Sequence, residues 1–381
     1  MIGLLEALVR ADSQNPPGRE AEAADILASY LHNAGLAVEV REVESGRPNV
    51  IARLAGDSPE ALLLNGHLDT VPGRWEPRWE GERFYGRGAC DMKAGLAAMA
   101  YALARVARHQ GRKRSVLFTA VIDEEVWFKG TKSLIADGAL ADCVCGYVAE
   151  PTSLTIATSL QGAAEFTLRT SGRASHAGMA ELGDNAIRSM LPLLAALAEY
   201  ADSLRGKGAN LGLPVDPSVN IGTIRGGEVV TMVPADCEVA FDRQILPGES
   251  VADVVAEVQR VVPARLEQSF PPWQIDSGHD VVRALADAHL AALGKPAQTS
   301  VFRAYCEVEL LAAAGIPAVI YGPGSIEQAH RPDEYVNKRE LAAAAQVYER
   351  LISDFTRSSQ EANQRVSTKF ADRSNADSVG R

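Results

Sequence analysis

The chain has 381 residues, 38 basic and 49 acidic, for a formal charge of −11; 46% are hydrophobic and 23% charged. That length allows a large core and two domains. The acidic balance excludes a nucleic-acid surface, which needs clustered basic residues, and no apolar run reaches membrane-spanning length. The five cysteines contain no Cys-x-x-Cys pair, so neither a disulfide framework nor a zinc ribbon is expected. The N-terminal MIGLLEALVRADS lacks a basic start and reads as an amphipathic helix, not a signal peptide. A cytoplasmic protein is the expectation.

In chain order, a helix over 2–11 gives way to a turn at Asn15-Pro16-Pro17-Gly18. A second helix over 20–34 is closed by Gly35. Segments 38–43 and 49–54 read as a strand pair. The run ALLLNGHLDT over 61–70 is a buried strand whose end opens at His67 and Asp69. Segment 72–88, with Trp75, Trp79 and several glycines, reads as a loop. A long helix opens at Asp91 and runs to about 108, with Leu96, Met99, Leu103 and Val106 on one face. Strands over 115–122 and 144–149 end at Asp123-Glu124-Glu125 and Glu150-Pro151-Thr152; Cys143 and Cys145 beside the second read as core thiols. Three buried strands therefore each end in groups that bind metals, at the edge where open α/β sheets bind ligands.

After Gln161 the pattern changes. Strands over 164–170, 219–225 and 237–244 alternate with helices over 185–204 and 251–262, in the manner of a ferredoxin-like insertion. Helices over 281–293 and 306–314 then restore the earlier style. A strand over 318–321 ends in Gly322-Pro323-Gly324-Ser325, with His330 close behind. From 356 the chain turns polar and unpatterned, as a disordered tail does. The division is residues 1–160 with 278–355, an inserted 161–277, and the tail 356–381.

The candidate ligands are His67, Asp91, Glu124, Glu125, Glu150 and His330, all at strand ends or at a helix start. Two imidazoles among carboxylates suit Zn²⁺, or alternatively Co²⁺ or Mn²⁺. Crowded carboxylates repel unless cations neutralise them. One open ion cannot use all six groups; two ions sharing a carboxylate can. Of the adjacent Glu124 and Glu125, one is then free to serve as general base. Taken singly, either glutamate reads as a solvated strand end and His330 as a loop histidine.

The ordered set GHLDTVPG, GRGACDMKAG, DEE, AEPT, SHAG and GPGSIEQAHRPDEYV resembles one family over residues 1–355. It is that of acetylornithine deacetylase, succinyl-diaminopimelate desuccinylase, aminoacylase and carboxypeptidase G, with the GPGSIEQAH loop leaning to the first. The resemblance implies an α/β, zinc-peptidase-type catalytic domain with an inserted ferredoxin-like α+β lid that dimerises. It implies that His67 and Glu150 hold one ion and Glu125 and His330 the other, with Asp91 bridging. Glu124 would be base and acid, Asp69 would orient His67, and the Asp91–Met92 peptide would be cis. His176 in the lid would polarise the scissile carbonyl, in the partner subunit's site. Asn220 and Arg243 would meet the substrate's carboxylate end, with Gly324 and Ser325 in the same pocket.

Two departures border that pocket. Trp127 and Phe128 follow the paired glutamates where relatives have small residues, and Tyr305-Cys306-Glu307 stands where deacetylase-type relatives have Gly-Thr before an acidic residue. The expected function is metal-dependent cleavage of an N-acyl amide of an amino acid or small peptide-like substrate. The alternatives are a dipeptidase or carboxypeptidase of the same family, or an inactive binding protein of the same fold.

Overall fold

The structure, a computed structural model, describes residues 1–357. It divides into two compact units, one of residues 1–157, 276–299 and 306 onward, the other of 158–275 with 300–305.

The first unit is built on a mixed sheet. Its strands run in the order Ala37–Glu44, Arg47–Leu54, Ser115–Val121, Ala61–His67, Cys143–Val148 and Ala318–Ile320. The first two pair antiparallel with each other, and Arg47–Leu54 pairs antiparallel with Ser115–Val121. From Ser115–Val121 onward the pairs are parallel, so four strands deliver their carboxyl ends to one edge. Every side chain of Ala61–His67 and Ser115–Val121 is buried, as an apolar run covered on both faces requires. The helix Lys93–Val106 packs on this sheet and is rich in alanine. At Gly95 a Cβ would come within 2.2 Å of the Ala149 carbonyl oxygen. Glycine there lets the helix that follows Asp91 approach the strand end that carries Glu150. The helix Lys338–Arg357 packs against both Lys93–Val106 and Asp280–Leu293.

The second unit has a four-stranded antiparallel sheet, ordered Val219–Gly226, Asp236–Ile245, Gly162–Ser171, Arg265–Phe270. With helices Ala186–Ser203 and Val251–Val261, the chain order is β-α-β-β-α-β. Burial alternates strictly along Asp236–Ile245, so one face meets the helices. Phe166 stacks on Phe241 at 5.2 Å within that core. Val219–Gly226 lies at the sheet's edge, and Ile221 and Ile224 on it are exposed.

Some elements differ from expectation. Segment 72–88 contains two short strands, Arg78–Glu80 and Arg83–Tyr85, which pair with each other and with Tyr335–Asn337. Their pairing partner lies far along the chain, so composition alone reads as loop. Arg265–Phe270 was not expected either; its sequence, RLEQSF, is half polar, and its pairing with Gly162–Ser171 makes it a strand. Helices Lys129–Ala136 and Lys338–Arg357 complete the first unit. The latter includes Thr356 and Arg357; the rest of the polar tail expected over 356–381 lies outside the described residues.

Candidate metal centre

All six expected ligand positions lie in the first unit, and their side chains converge beyond the carboxyl ends of the parallel strands. His67 ends its strand, Glu124 and Glu125 follow Val121, and Glu150 follows Val148. Asp91 stands between them with its two oxygens turned to different histidines. Its Oδ1 is 3.2 Å from His67 Nε2, and its Oδ2 is 3.6 Å from His330 Nε2. His67 Nε2 also faces Glu150 Oε1 at 3.6 Å, and His330 Nε2 faces Glu125 Oε2 at 3.1 Å. The trios His67–Asp91–Glu150 and Asp91–Glu125–His330 each offer ligand atoms within 4.8 Å of one another. Glu124 Oε2 points at the same place, 3.8 Å from His67 Nε2. The Asp91–Met92 peptide is cis.

Backbone contacts aim these groups. The His67 Nδ1–H donates to the Asp69 carbonyl oxygen at 2.9 Å, with Asp69 Oδ1 farther off at 3.6 Å, which turns Nε2 into the pocket. The Asp69 carboxylate itself accepts the N–H groups of Glu124 and Glu125, both at 3.1 Å. The Asn15 amide donates at 2.9 Å to both Asp69 and Asp123. Arg47 joins Asp123, at 3.0 Å, to the buried Glu20. Asp123 has φ of +66°, a left-handed conformation that these two donors hold in place. Glu334 does the same for Asp91: it accepts the N–H groups of Cys90 and Asp91 at 2.9 and 3.1 Å and pairs with Arg87 at 2.7 Å. Sequence reasoning missed Asn15, Arg47 and Glu334, although Glu334 lies within the quoted AHRPDEYV segment.

The pocket is short of positive charge. Burial pushes Glu124 and Glu150 well above the carboxylate range; His67 pulls both back, and neighbouring carboxylates push them further. Burial also pushes Glu307 up to about 7 and Glu334 up to about 7. Burial would lower the His67 pKa, yet Glu124, Asp91, Glu150 and Asp69 hold it well above its ordinary value. Without cations these groups share protons, and Glu150 Oε1 is buried with no hydrogen-bond partner. An orphaned carboxylate oxygen facing an imidazole nitrogen fits a divalent cation.

The other expected site residues are placed as follows. Gly324 has φ of +87°, and a Cβ there would come within 2.5 Å of Cys90 Sγ. Ser325 pairs with Thr152 in a β-bridge and its carbonyl accepts from Cys90 Sγ at 3.3 Å, which ties this loop to the residue before Asp91. Trp127 is half exposed just beyond Glu125, whereas Phe128 is buried. His176, Asn220 and Arg243 belong to the second unit. The His176 ring accepts the Gly178 N–H at 3.1 Å on an exposed loop, and Asn220 lies on the edge strand Val219–Gly226. Arg243 is wholly buried, forked onto Glu249 and bonded to the Tyr200 hydroxyl.

A mixed sheet that gathers two histidines and four carboxylates beyond its parallel strand ends has the ligand set of a metallohydrolase. The family model of peptidase family M20/M25/M40 matches residues 63–354, and the chain belongs to this family of hydrolytic, metal-binding enzymes. It is 31% identical over 331 residues to an acetylornithine deacetylase of Vibrio vulnificus, covering 81% of this chain and 85% of that protein. In structure it is similar to a tripeptidase of Staphylococcus aureus, with a TM-score of 0.76 at 22% identity, over 94% of this chain and 98% of that one. It is also similar to a dinuclear metal-binding peptidase of the M20 family from Bacillus subtilis, with a TM-score of 0.65 at 17% identity, over 93% and 97% of the two chains. Among the described residues no helix is long and apolar enough to cross a membrane.

Proposed function

We propose that the protein hydrolyses an N-acyl amide bond of an amino acid or small peptide-like substrate, in the manner of an acetylornithine deacetylase. The observation that supports hydrolysis is Asp91, whose two oxygens face His67 and His330 at 3.2 and 3.6 Å, and the 31% identity to an acetylornithine deacetylase supports the N-acyl amide. A carboxylate placed so would serve as a ligand shared by two ions. His67 and Glu150 would hold one, Glu125 and His330 the other, with Zn²⁺ favoured by the two imidazoles and Co²⁺ or Mn²⁺ the alternatives. When bound, such a pair supplies a polarised carbonyl and acidified water.

Glu124 is assigned no ion, and its carboxylate lies beside the pocket in place to act as base. It takes a proton from the attacking water as oxygen bonds to the carbonyl carbon. The carbon–nitrogen bond then breaks, and Glu124 returns that proton to the leaving amine. Asp69 serves this step by fixing the Glu124 N–H and the His67 ring. His176 is assigned to the oxyanion, and Asn220 and Arg243 to the substrate's carboxylate end, with Gly324 and Ser325 in the loop of the same pocket. For Arg243 this requires part of its fork to leave Glu249.

In this reading the second unit is an inserted lid, His176 acts across a homodimer, and the exposed edge strand Val219–Gly226 is the pairing surface. The location is cytoplasmic. A dipeptidase or carboxypeptidase is the second reading, supported by the likeness in fold to the tripeptidase. The test is metal analysis of zinc-loaded protein with a screen of N-acyl amino acids against dipeptides. Two ions per chain and faster cleavage of N-acyl amino acids are expected. Preference for dipeptides selects the second reading, and turnover of neither class leaves a binding protein.

A further inference from the structure

The dinuclear reading leaves one buried acid without a task. Glu307 is wholly buried, and neither of its carboxylate oxygens has a hydrogen-bond partner. Its carboxylate points at the catalytic pocket: one oxygen each of Glu124, Glu150 and Glu307 lies within 4.8 Å of the other two, and all three residues are buried. A carboxyl buried away from water must either keep its proton or gain a counter-charge. No described Lys or Arg side chain hydrogen-bonds to it, and the imidazole that attracts it, His67, is already a ligand of the proposed centre. Glu307 is also not among the ligands of the two ions of the proposed centre, which are His67, Asp91, Glu125, Glu150 and His330.

We propose that Glu124, Glu150 and Glu307 form a third cation site, which takes a hard divalent ion such as Mn²⁺ and by doing so silences Glu124. This rests on the dinuclear reading above. The donor sets separate the sites chemically. Each of the other two trios includes an imidazole nitrogen, which suits zinc; this one is all carboxylate oxygen, which suits Mn²⁺, Mg²⁺ or Ca²⁺. Glu150 has two oxygens and can serve both its zinc and the third ion. Glu124 is changed by the ion: a cation on its carboxylate draws electron density away and leaves a weaker base toward the proton of the attacking water. Excess hard cation therefore inhibits without displacing zinc.

The test uses full-length protein loaded with zinc and freed of excess, then titrated with MnCl₂. Bound manganese is counted by loss of the free-ion paramagnetic resonance signal, with both metals measured by elemental analysis. Expected are two zinc ions retained, one manganese added, and amide hydrolysis falling along the manganese binding curve. In Glu307→Gln, zinc stays at two, which also reports an intact fold, while manganese binding weakens at least about tenfold. The inhibition curve of the variant, scaled to its own activity without manganese, moves by the same factor. No extra manganese, manganese gained only as zinc is lost, or equal binding by Glu307→Gln would each overturn the proposal. The wild-type count decides even if the variant fails to fold. Fewer than two zinc ions before manganese is added would overturn the dinuclear reading itself, and the third site with it.

Discussion

Two clusters of buried charge, one in each unit, are put together in opposite ways. Around Arg243 every charge has its answer. The guanidinium forks onto Glu249 at 2.8 and 3.1 Å, Lys207 reaches Glu249 at 2.8 Å and Glu257 at 3.1 Å, and the Leu246 N–H adds a bond to Glu249 at 2.7 Å. Two cations and two anions are complete without a ligand. In the metal centre, Asp91, Glu124, Glu125, Glu150 and Glu307 crowd two imidazoles, and oxygens of Glu150 and Glu307 are left without partners. Burial alone does not distinguish a structural cluster from a functional one; incomplete compensation does.

The sharpest way to break this comparison is to change one charge in each cluster. In the metal centre, Glu124→Gln keeps shape but cannot take a proton, so kcat should fall by about 10²–10⁴-fold with two ions still bound. Elemental analysis beside turnover checks it; metal lost together with activity would make Glu124 a ligand. In the other cluster, Arg243→Met should lower unfolding free energy by about 3 kcal/mol with metal content unchanged. The low end of the range applies because Lys207 remains on Glu249. Denaturant unfolding measures the loss. A KM that also rises, in protein still folded at the assay temperature, would give Arg243 a share in holding substrate.

The same contrast explains what was legible in the sequence. His67, Glu124, Glu125 and Glu150 follow apolar runs long enough to be buried strands, so their meeting at one edge follows from parallel pairing. Asp91 and His330 needed the motif order, because a helix start and a loop carry no such constraint. Asn15, Arg47 and Glu334 were not legible. They act on backbone N–H groups or on other carboxylates, contacts between residues far apart in the chain that leave no local spacing. Glu307 was visible only as the acid after an atypical Tyr-Cys, and its burial without a partner depends on what packs around it. Arg243 shows the converse: an arginine expected to meet substrate, whose fork is engaged by a glutamate six residues on.

Glu307 sharpens the comparison through pH. Burial raises its carboxyl from 4.5 to about 7 in the folded protein. The folded state then holds that proton more tightly than the unfolded one. Its contribution is present in full below about 4.5 and is lost as pH rises to about 7, with no further change above. In metal-free protein the loss is on the order of 3 kcal/mol. Glu307→Gln does not titrate, so the stability difference between variant and wild type should change chiefly across that window. Denaturant midpoints from pH about 4 to about 8 with a chelator present would show it; a difference independent of pH would mean Glu307 already has a counter-charge.

The smallest effect belongs to Asn15, which no ion touches. Its amide donates to Asp69 and Asp123, and Asp69 in turn holds the backbone of Glu124 and Glu125. Both acceptors keep another donor, the Glu125 N–H for Asp69 and Arg47 for Asp123. Asn15→Ala should therefore cost only about 1–2 kcal/mol of stability. It should lower kcat more than it raises KM, because the base is displaced and the substrate pocket is not. Asn15→Asp is the sterner test, since it has no N–H to give and adds a third carboxylate between two others. It should be worse than Asn15→Ala in both stability and kcat, and worst in metal-free protein, where no cations offset the added charge. If Asn15→Asp matched Asn15→Ala in both forms, the Asn15–Asp69 contact would be packing alone, and the base would be held by some other means.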